Sequence, residues 1–182
     1  MTFLDGKERT FVALTDTTRS DKHHLETEAL GRPNTNPPDI VLEDNVELLA
    51  FTVGTDRVTF KWDVPEDYDS GDLTIQVEWT NDGGVDDQNK DVKVQIDYQT
   101  YEDGDSVVGS HANSPKTIED TYTSATGWLF HVTGSITIAA ADFAGKHGIT
   151  MKLSFVAPDG TALTAEPHLA GAQILYTMKV NA

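Results

Sequence analysis

The sequence predicts an all-β fold: an antiparallel β-sandwich of jelly-roll type, preceded by an extended N-terminal arm. Three observations predict it. Residues 73–79 alternate without a break, with Leu73, Ile75, Val77 and Trp79 on one side and Thr74, Gln76 and Glu78 on the other. Residues 92–98 repeat the pattern, with Val92, Val94, Ile96 and Tyr98 forming the apolar set. Strict period-two alternation marks a strand with one face on a core and one in water, and two such strands imply antiparallel sheet. Third, similar runs recur along the chain between turn residues, with almost no helical period. The long irregular link at 102–126 suits a jelly-roll crossover better than a simple meander.

The elements fall into an arm at residues 1–45 and a sandwich at 46–182. In the arm, Phe3, Leu4, Phe11, Val12 and Leu14 are isolated apolar anchors in a polar background. Arg32-Pro33-Asn34 and Asn36-Pro37-Pro38 follow, a stiff stretch that breaks strand pairing. Such a segment makes no core of its own, so it is expected to lie along the sandwich or dock on a neighbouring subunit. Residues 25–30 read as a short helical turn. From residue 46 the expected strands are 48–53, 58–64 (stopped by Pro65), 73–79, 92–98, 127–132, 135–138, 149–155 and 172–180. Pro158-Asp159-Gly160 supplies a tight turn, and residues 139–144 a single helical turn. Phase puts Trp62, Trp79 and Trp128 on core faces, with Tyr98, and leaves Tyr68, Tyr101 and Tyr122 freer.

Charge and composition exclude several function classes. Of the 182 residues, 30 are acidic and 13 basic, a net charge of −17. That surface repels nucleic acid and anionic lipid. Between Asp63 and Asp105 there are 14 acids against two bases, Lys90 and Lys93, so one edge or face is expected to carry most of the negative field. Cysteine is absent, which excludes disulfides and thiolate chemistry. No apolar run reaches membrane-spanning length, and the first residues lack the apolar centre of a signal peptide.

No constellation spells out a chemistry. Asp82, Asp86, Asp87, Asn89 and Asp91 share the loop between the two clearest strands, and hard oxygen ligands there could hold Ca²⁺. The spacing lacks the glycine and closing glutamate of a calcium loop, and a solvated loop is the default. Asp63, Glu66, Asp67, Asp69 and Asp72 form a second acidic cluster, and Glu102, Asp103 and Asp105 a third. Carboxylate pairs for sugar hydrolysis need an acid seated among apolar neighbours, which the sequence does not offer. The histidines, His23, His24, His111, His131, His147 and His168, show no zinc spacing. Ser110-His111 and Ser114 lie in a polar loop without a nucleophile elbow. The expectation is therefore no catalytic residue, no cofactor and no metal.

One resemblance adds to this. Trp62-Asp63-Val64-Pro65-Glu66-Asp67-Tyr68, Val77-Glu78-Trp79-Thr80-Asn81, Asp97-Tyr98-Gln99-Thr100-Tyr101, and Ile136-Thr137-Ile138 followed by Asp142-Phe143-Ala144-Gly145 resemble jelly-roll-type virion structural proteins of tailed phages, particularly marine ones. The likeness covers about two-thirds of the chain and rests on structural motifs. It implies a non-enzymatic virion protein, a capsid-surface decoration or cement subunit located in the virion after assembly in the host cytoplasm. Its partner would be the major capsid protein or another virion protein, and the subunit itself a homo-oligomer, a trimer by preference. Phe3, Leu4, Phe11, Val12 and Leu14 would anchor the arm, and deleting residues 1–30 is expected to abolish particle binding while the sandwich stays folded. The alternative is a receptor- or glycan-binding module of a phage fibre or tail.

Overall fold

The computed structural model describes residues 18–27, 30–105 and 115–179. Eleven strands occupy them: β1 (Thr18–Glu26), β2 (Asp39–Glu43), β3 (Val46–Ala50), β4 (Val58–Asp63), β5 (Leu73–Asn81), β6 (Lys90–Tyr101), β7 (Lys116–Tyr122), β8 (His131–Val132), β9 (Ile136–Ile138), β10 (Gly148–Val156) and β11 (Pro167–Lys179). A single helical turn, α1 (Ala140–Phe143), stands where residues 139–144 predict one.

The strands form two antiparallel sheets. Sheet A runs β2-β3-β11-β5-β8, with β1 also on β11 and β9 also on β5; sheet B runs β4-β10-β6-β7. The chain crosses between sheets at β3 to β4, β4 to β5, β5 to β6, β7 to β8, β9 to β10 and β10 to β11. This is the double Greek-key path of a jelly roll, as the sequence predicts. Strand β11 lies in the interior of sheet A. On one side it pairs with β5, and on the other with β3 at His168 and Leu169 and then with β1 from Gly171 to Lys179.

The alternating strands build the core. Leu73, Ile75, Val77 and Trp79 from sheet A meet Val94, Ile96, Ile149, Met151, Leu153 and Phe155 from sheet B, all fully buried. Trp62 packs edge-on to Phe143, Tyr68 and Tyr176 at one end. Trp79 packs against Tyr122 and His131 at the other. Its indole N–H donates to Asp120 Oδ2 at 2.8 Å, a bond from sheet A to sheet B. Tyr122 is therefore not free, as its loop context predicts, but wholly buried.

Four expectations need correction. Sheet A begins before residue 46. Strand β1 pairs with β11 over nine residues, and β2 forms a hairpin with β3 whose two-residue turn puts Asp44 and Asn45 at positive φ. Backbone pairing holds this segment, and Leu25 and Leu30 reach the core, so deletion to residue 30 would cut into the sandwich. Strand β7 lies within the supposedly irregular 102–126 link. It is a polar edge strand on β6, too weakly alternating to be read. Residues 127–130 are loop, because Trp128 takes a φ of +66° that no strand allows. Trp128 is accordingly only partly buried. The anchors Phe3, Leu4, Phe11, Val12 and Leu14 lie outside the described residues.

On the outer face of sheet A a polar clamp ties β1 to β5 and β11. His24 Nε2 lies 3.0 Å from Glu78 Oε2, and Gln173 Nε2 donates to the other oxygen of Glu78. The Glu78 contact raises the His24 pKa against some desolvation. Burial works to raise the Glu78 pKa, but the bonds from His24 and Gln173 outweigh it and lower it. The His24 contribution is full below the unfolded value of about 6.5 and is lost as pH rises through its raised folded value. The Glu78 contribution is full above about 4.5 and is lost as pH falls through its lowered value. The clamp is thus complete between about pH 4.5 and 6.5. Hydrogen exchange of the β1 amides, corrected for intrinsic rates, should be slower at pH 5.5 than at pH 8.5, and His24→Gln should remove most of the difference. Separately, Trp79→Ala should cost about 3–5 kcal/mol in urea unfolding.

Candidate functional site

The part of the structure with the most unusual local chemistry lies at the β8 edge of sheet A, beside the end of β5. It begins with a loop held against that end. Tyr122 Oη donates to Thr126 O at 2.6 Å, Trp128 N–H to Asn81 O at 2.7 Å, and Thr80 Oγ1 to Leu129 O at 3.0 Å. Gly127 makes the close approach possible, since a Cβ there would sit 2.8 Å from Asp82 O. The path that follows drives Trp128 into left-handed backbone, which for a bulky aromatic costs of order 1–3 kcal/mol.

The conformation lays the Trp128 ring over His168, with centroids 5.1 Å apart and planes within 13°. His168 stands on β11 between Ala50 and Thr80, on the outer face of sheet A, and only 6% of it is exposed. Its Nδ1 is buried without a hydrogen-bond partner. Burial lowers the His168 pKa, against the pull of Asp82, Glu166 and Glu43. The ring under Trp128 is therefore a neutral imidazole near neutral pH.

The sequence reads residues 128, 130 and 132 as sharing one face. Phe130 and Val132 are instead more than half exposed. His131 takes the inward position instead, its ring 5.1 Å from Trp79 and 4.8 Å from Tyr122. A period-two pattern leaves the choice of face open, and a one-residue shift exchanges the faces. Leu129 and Val85 are also exposed nearby, giving an apolar rim beside the Trp128–His168 stack.

In the acidic loop between β5 and β6, Asp87 is engaged inside the subunit. Asp87 is fully buried, and its carboxylate accepts the N–H groups of Thr164 at 2.6 Å and Ala165 at 3.0 Å, with Lys90 Nζ at 3.2 Å. Burial works to raise its pKa. The backbone bonds from Ala165 and Thr164, with the Thr164 hydroxyl and Lys90, prevail and hold it at about 2. Among the described residues no group of three or more His, Asp or Glu side chains is placed to hold a metal ion. A shallow groove of about 170 Å³ crosses the outer face of sheet B, lined by residues including Arg57, Asp97 and Lys152. Asp97 and Lys152 pair with each other at 2.6 Å there. Ser110, His111 and Ser114 lie outside the described residues.

No protein-family model matches the chain, and no curated protein matches it. Among solved structures, it is similar to CBM35 from Cellvibrio japonicus Abf62, at 13% identity and a TM-score of 0.52, over 89% of this chain and 99% of that one. At 13% identity the likeness is one of fold, and it agrees with the two-sheet jelly roll. The human polyomavirus 6 VP1 pentamer aligns at 9% identity and a TM-score of 0.29, over 94% and 97%. Trichodysplasia spinulosa-associated polyomavirus VP1, solved with GM1 oligosaccharide, aligns at 8% and 0.27, over 93% and 98%.

Two outcomes check this description. The depressed Asp87 carboxyl contributes about 2 kcal/mol above the unfolded value near 3.8, lost as pH falls through about 2. Asp87→Ala should therefore unfold at lower urea at pH 7, and its deficit should shrink between pH 4 and 2. Trp128→Gly should relieve the left-handed backbone while losing the stack, so it should stay folded and expose His168 to titration by NMR nearer its ordinary value.

Proposed function

We propose that this chain is a non-enzymatic structural protein of a virus particle, a decoration or cement subunit that holds a shell together through contacts between subunits. One observation supports the reading above the others. Among the described residues, the exposed large apolar side chains gather largely at the two lateral edges of sheet A: Ile40, Leu42 and Val46 on the β2–β3 hairpin, and Leu129, Phe130 and Val132 at β8. Edges with this character suit lateral contacts, since an open strand edge and a clustered apolar rim both call for a neighbour. The resemblance to phage virion proteins, carried by residues in β4, β5, β6 and β9, points the same way.

In this reading the acidic surface keeps a sticky-edged subunit soluble until it assembles. The partner is the major shell protein, and a symmetric homo-oligomer, a trimer by preference, presents its edges to it. Quantitative mass spectrometry of virus particles purified from cells that make this chain should find it in a fixed ratio to the major shell protein. Its absence from such particles would overturn the reading. The arm is best tested by deleting residues 1–17, which spares β1. The truncated chain should keep its melting temperature and lose particle binding.

A second reading, a glycan- or receptor-binding module, has its own support in Trp128. A partly exposed indole held in strained backbone over a buried imidazole is the kind of fixed ring on which a sugar could stack. A glycan array with the wild-type chain and Trp128→Ala separates the two. Binding that disappears in the variant favours the module, and silence from both favours the structural subunit.

A further inference from the structure

Strand β2 ends sheet A, and among the described residues nothing pairs with its outer edge. Ile40 lies opposite Leu49 and Leu42 opposite Glu47. Ile40 and Leu42 therefore share the face on which Leu49 is buried in the core, yet they are 49% and 69% exposed. Sheet B does not cover them. An apolar, unpaired, five-residue edge is a site for strand addition.

We propose that residues 9–15 of a second copy of this chain add to that edge as an antiparallel strand. The proposal rests on the structural-subunit reading above, and it specifies where the arm goes. The segment Arg9-Thr10-Phe11-Val12-Ala13-Leu14-Thr15 carries a four-residue apolar run, with Val12 and Leu14 two apart and so on one face of a strand, and is rich in residues that favour strands. Pairing Val12 with Leu42 and Leu14 with Ile40 puts four aliphatic side chains on one face, covering the two exposed ones.

Charge selects this occupant and direction. The same register brings Arg9 level with Asn45, at the hairpin tip beside Glu43 and Asp44. It brings Asp16 level with Pro38, whose carbonyl receives the Arg32 guanidinium at 2.5 Å. A parallel arm would instead set Thr15 and Asp16 against Glu43 and Asp44. Pairing β2 with the β2 of another copy about Val41 would set Asp39 opposite Glu43 twice, and like charges directly opposed destabilise a strand pair.

Reach requires a second copy. Thr18 lies opposite Lys179, whereas β2 sits beside the other end of β11, with Ile40 level with Leu169 through Leu49. Counting rows along β11 and allowing for the bulge after Leu169, Thr18 is about 23 Å from the level of Leu42 and about 30 Å from that of Ile40. Four residues from Leu14 to Thr18 span at most about 14 Å. The arm cannot place Leu14 on its own β2 in either direction, but it can on a neighbour's.

The chain has no cysteine, which makes the test direct. The double variants Val12→Cys with Leu42→Cys, and Leu14→Cys with Ile40→Cys, replace side chains at the arm and at an exposed edge, so neither should disturb the core. Oxidation of the purified full-length proteins should give covalent dimers or a closed ladder on non-reducing gels. Adding Leu42→Lys to the second pair should cut the yield roughly tenfold. Folded protein that stays monomeric, or that cross-links only within one chain, would overturn the proposal. Cross-linked oligomers that are absent from particles would keep this inference and sink the decoration reading. A chain found in particles that never cross-links would do the reverse.

Discussion

A hydrogen bond from the Trp79 indole on sheet A to Asp120 on sheet B organises one end of the sandwich. An indole buried in a sheet interface needs an acceptor for its one polar atom. Asp120, on the edge strand β7, supplies it and so fixes β7 relative to β5. Tyr122, two residues on, then packs against the same ring and turns its hydroxyl to the carbonyls of Asn81 and Thr126. His131 closes the cluster from the far side. The loop from 123 to 130 is thereby held at both ends, and the left-handed Trp128 follows from that confinement. The stack on His168 and the exposed Phe130 lie on the loop that this cluster anchors.

The strands buried by strict alternation were legible: β4, β5, β6 and β10 lie where their periods predict. Each has enough apolar residues in phase that only one face can go inward. The periphery was not. In β8 and the loop before it, the in-phase residues Trp128, Phe130 and Val132 do not enter the core, and the His131 imidazole instead packs as the third ring against Trp79 and Tyr122. In β1 and β7 the main-chain ladder does the holding and the side chains are mostly polar, so no hydrophobic period announces them. The candidate site was hidden for a further reason. A positive φ at Trp128 depends on the close passage of Gly127 over Asp82, a contact between segments far apart in sequence.

The acidity also takes a different form from the one its clustering implies. Much of the charge between Asp63 and Asp105 is engaged inside the subunit. Asp87 holds the loop before β11, Asp91 accepts from Thr121, Asp97 pairs with Lys152, and Asp63 pairs with Lys61. Such carboxylates act as local ties for backbone and cations. Glu78 does the same for β1. Two histidines on the outer face of sheet A respond to pH in opposite senses: His24 grips more firmly when protonated, while His168 is suited to its place only when neutral.

The interior place of β11 in sheet A has a consequence for how the protein is made. It follows every other strand in sequence, yet β1, β3 and β5 all take their hydrogen bonds from it. Until it emerges from the ribosome, sheet A is three unconnected pieces, β1, the β2–β3 hairpin and β5 with β8 and β9, and the edges of β1, β3 and β5 that β11 pairs are open. A chain synthesised as far as β10 therefore carries open strand edges that the finished subunit does not. A strongly negative chain limits the encounters of such intermediates, and the net charge of −17 thus protects the nascent protein before it serves the folded one.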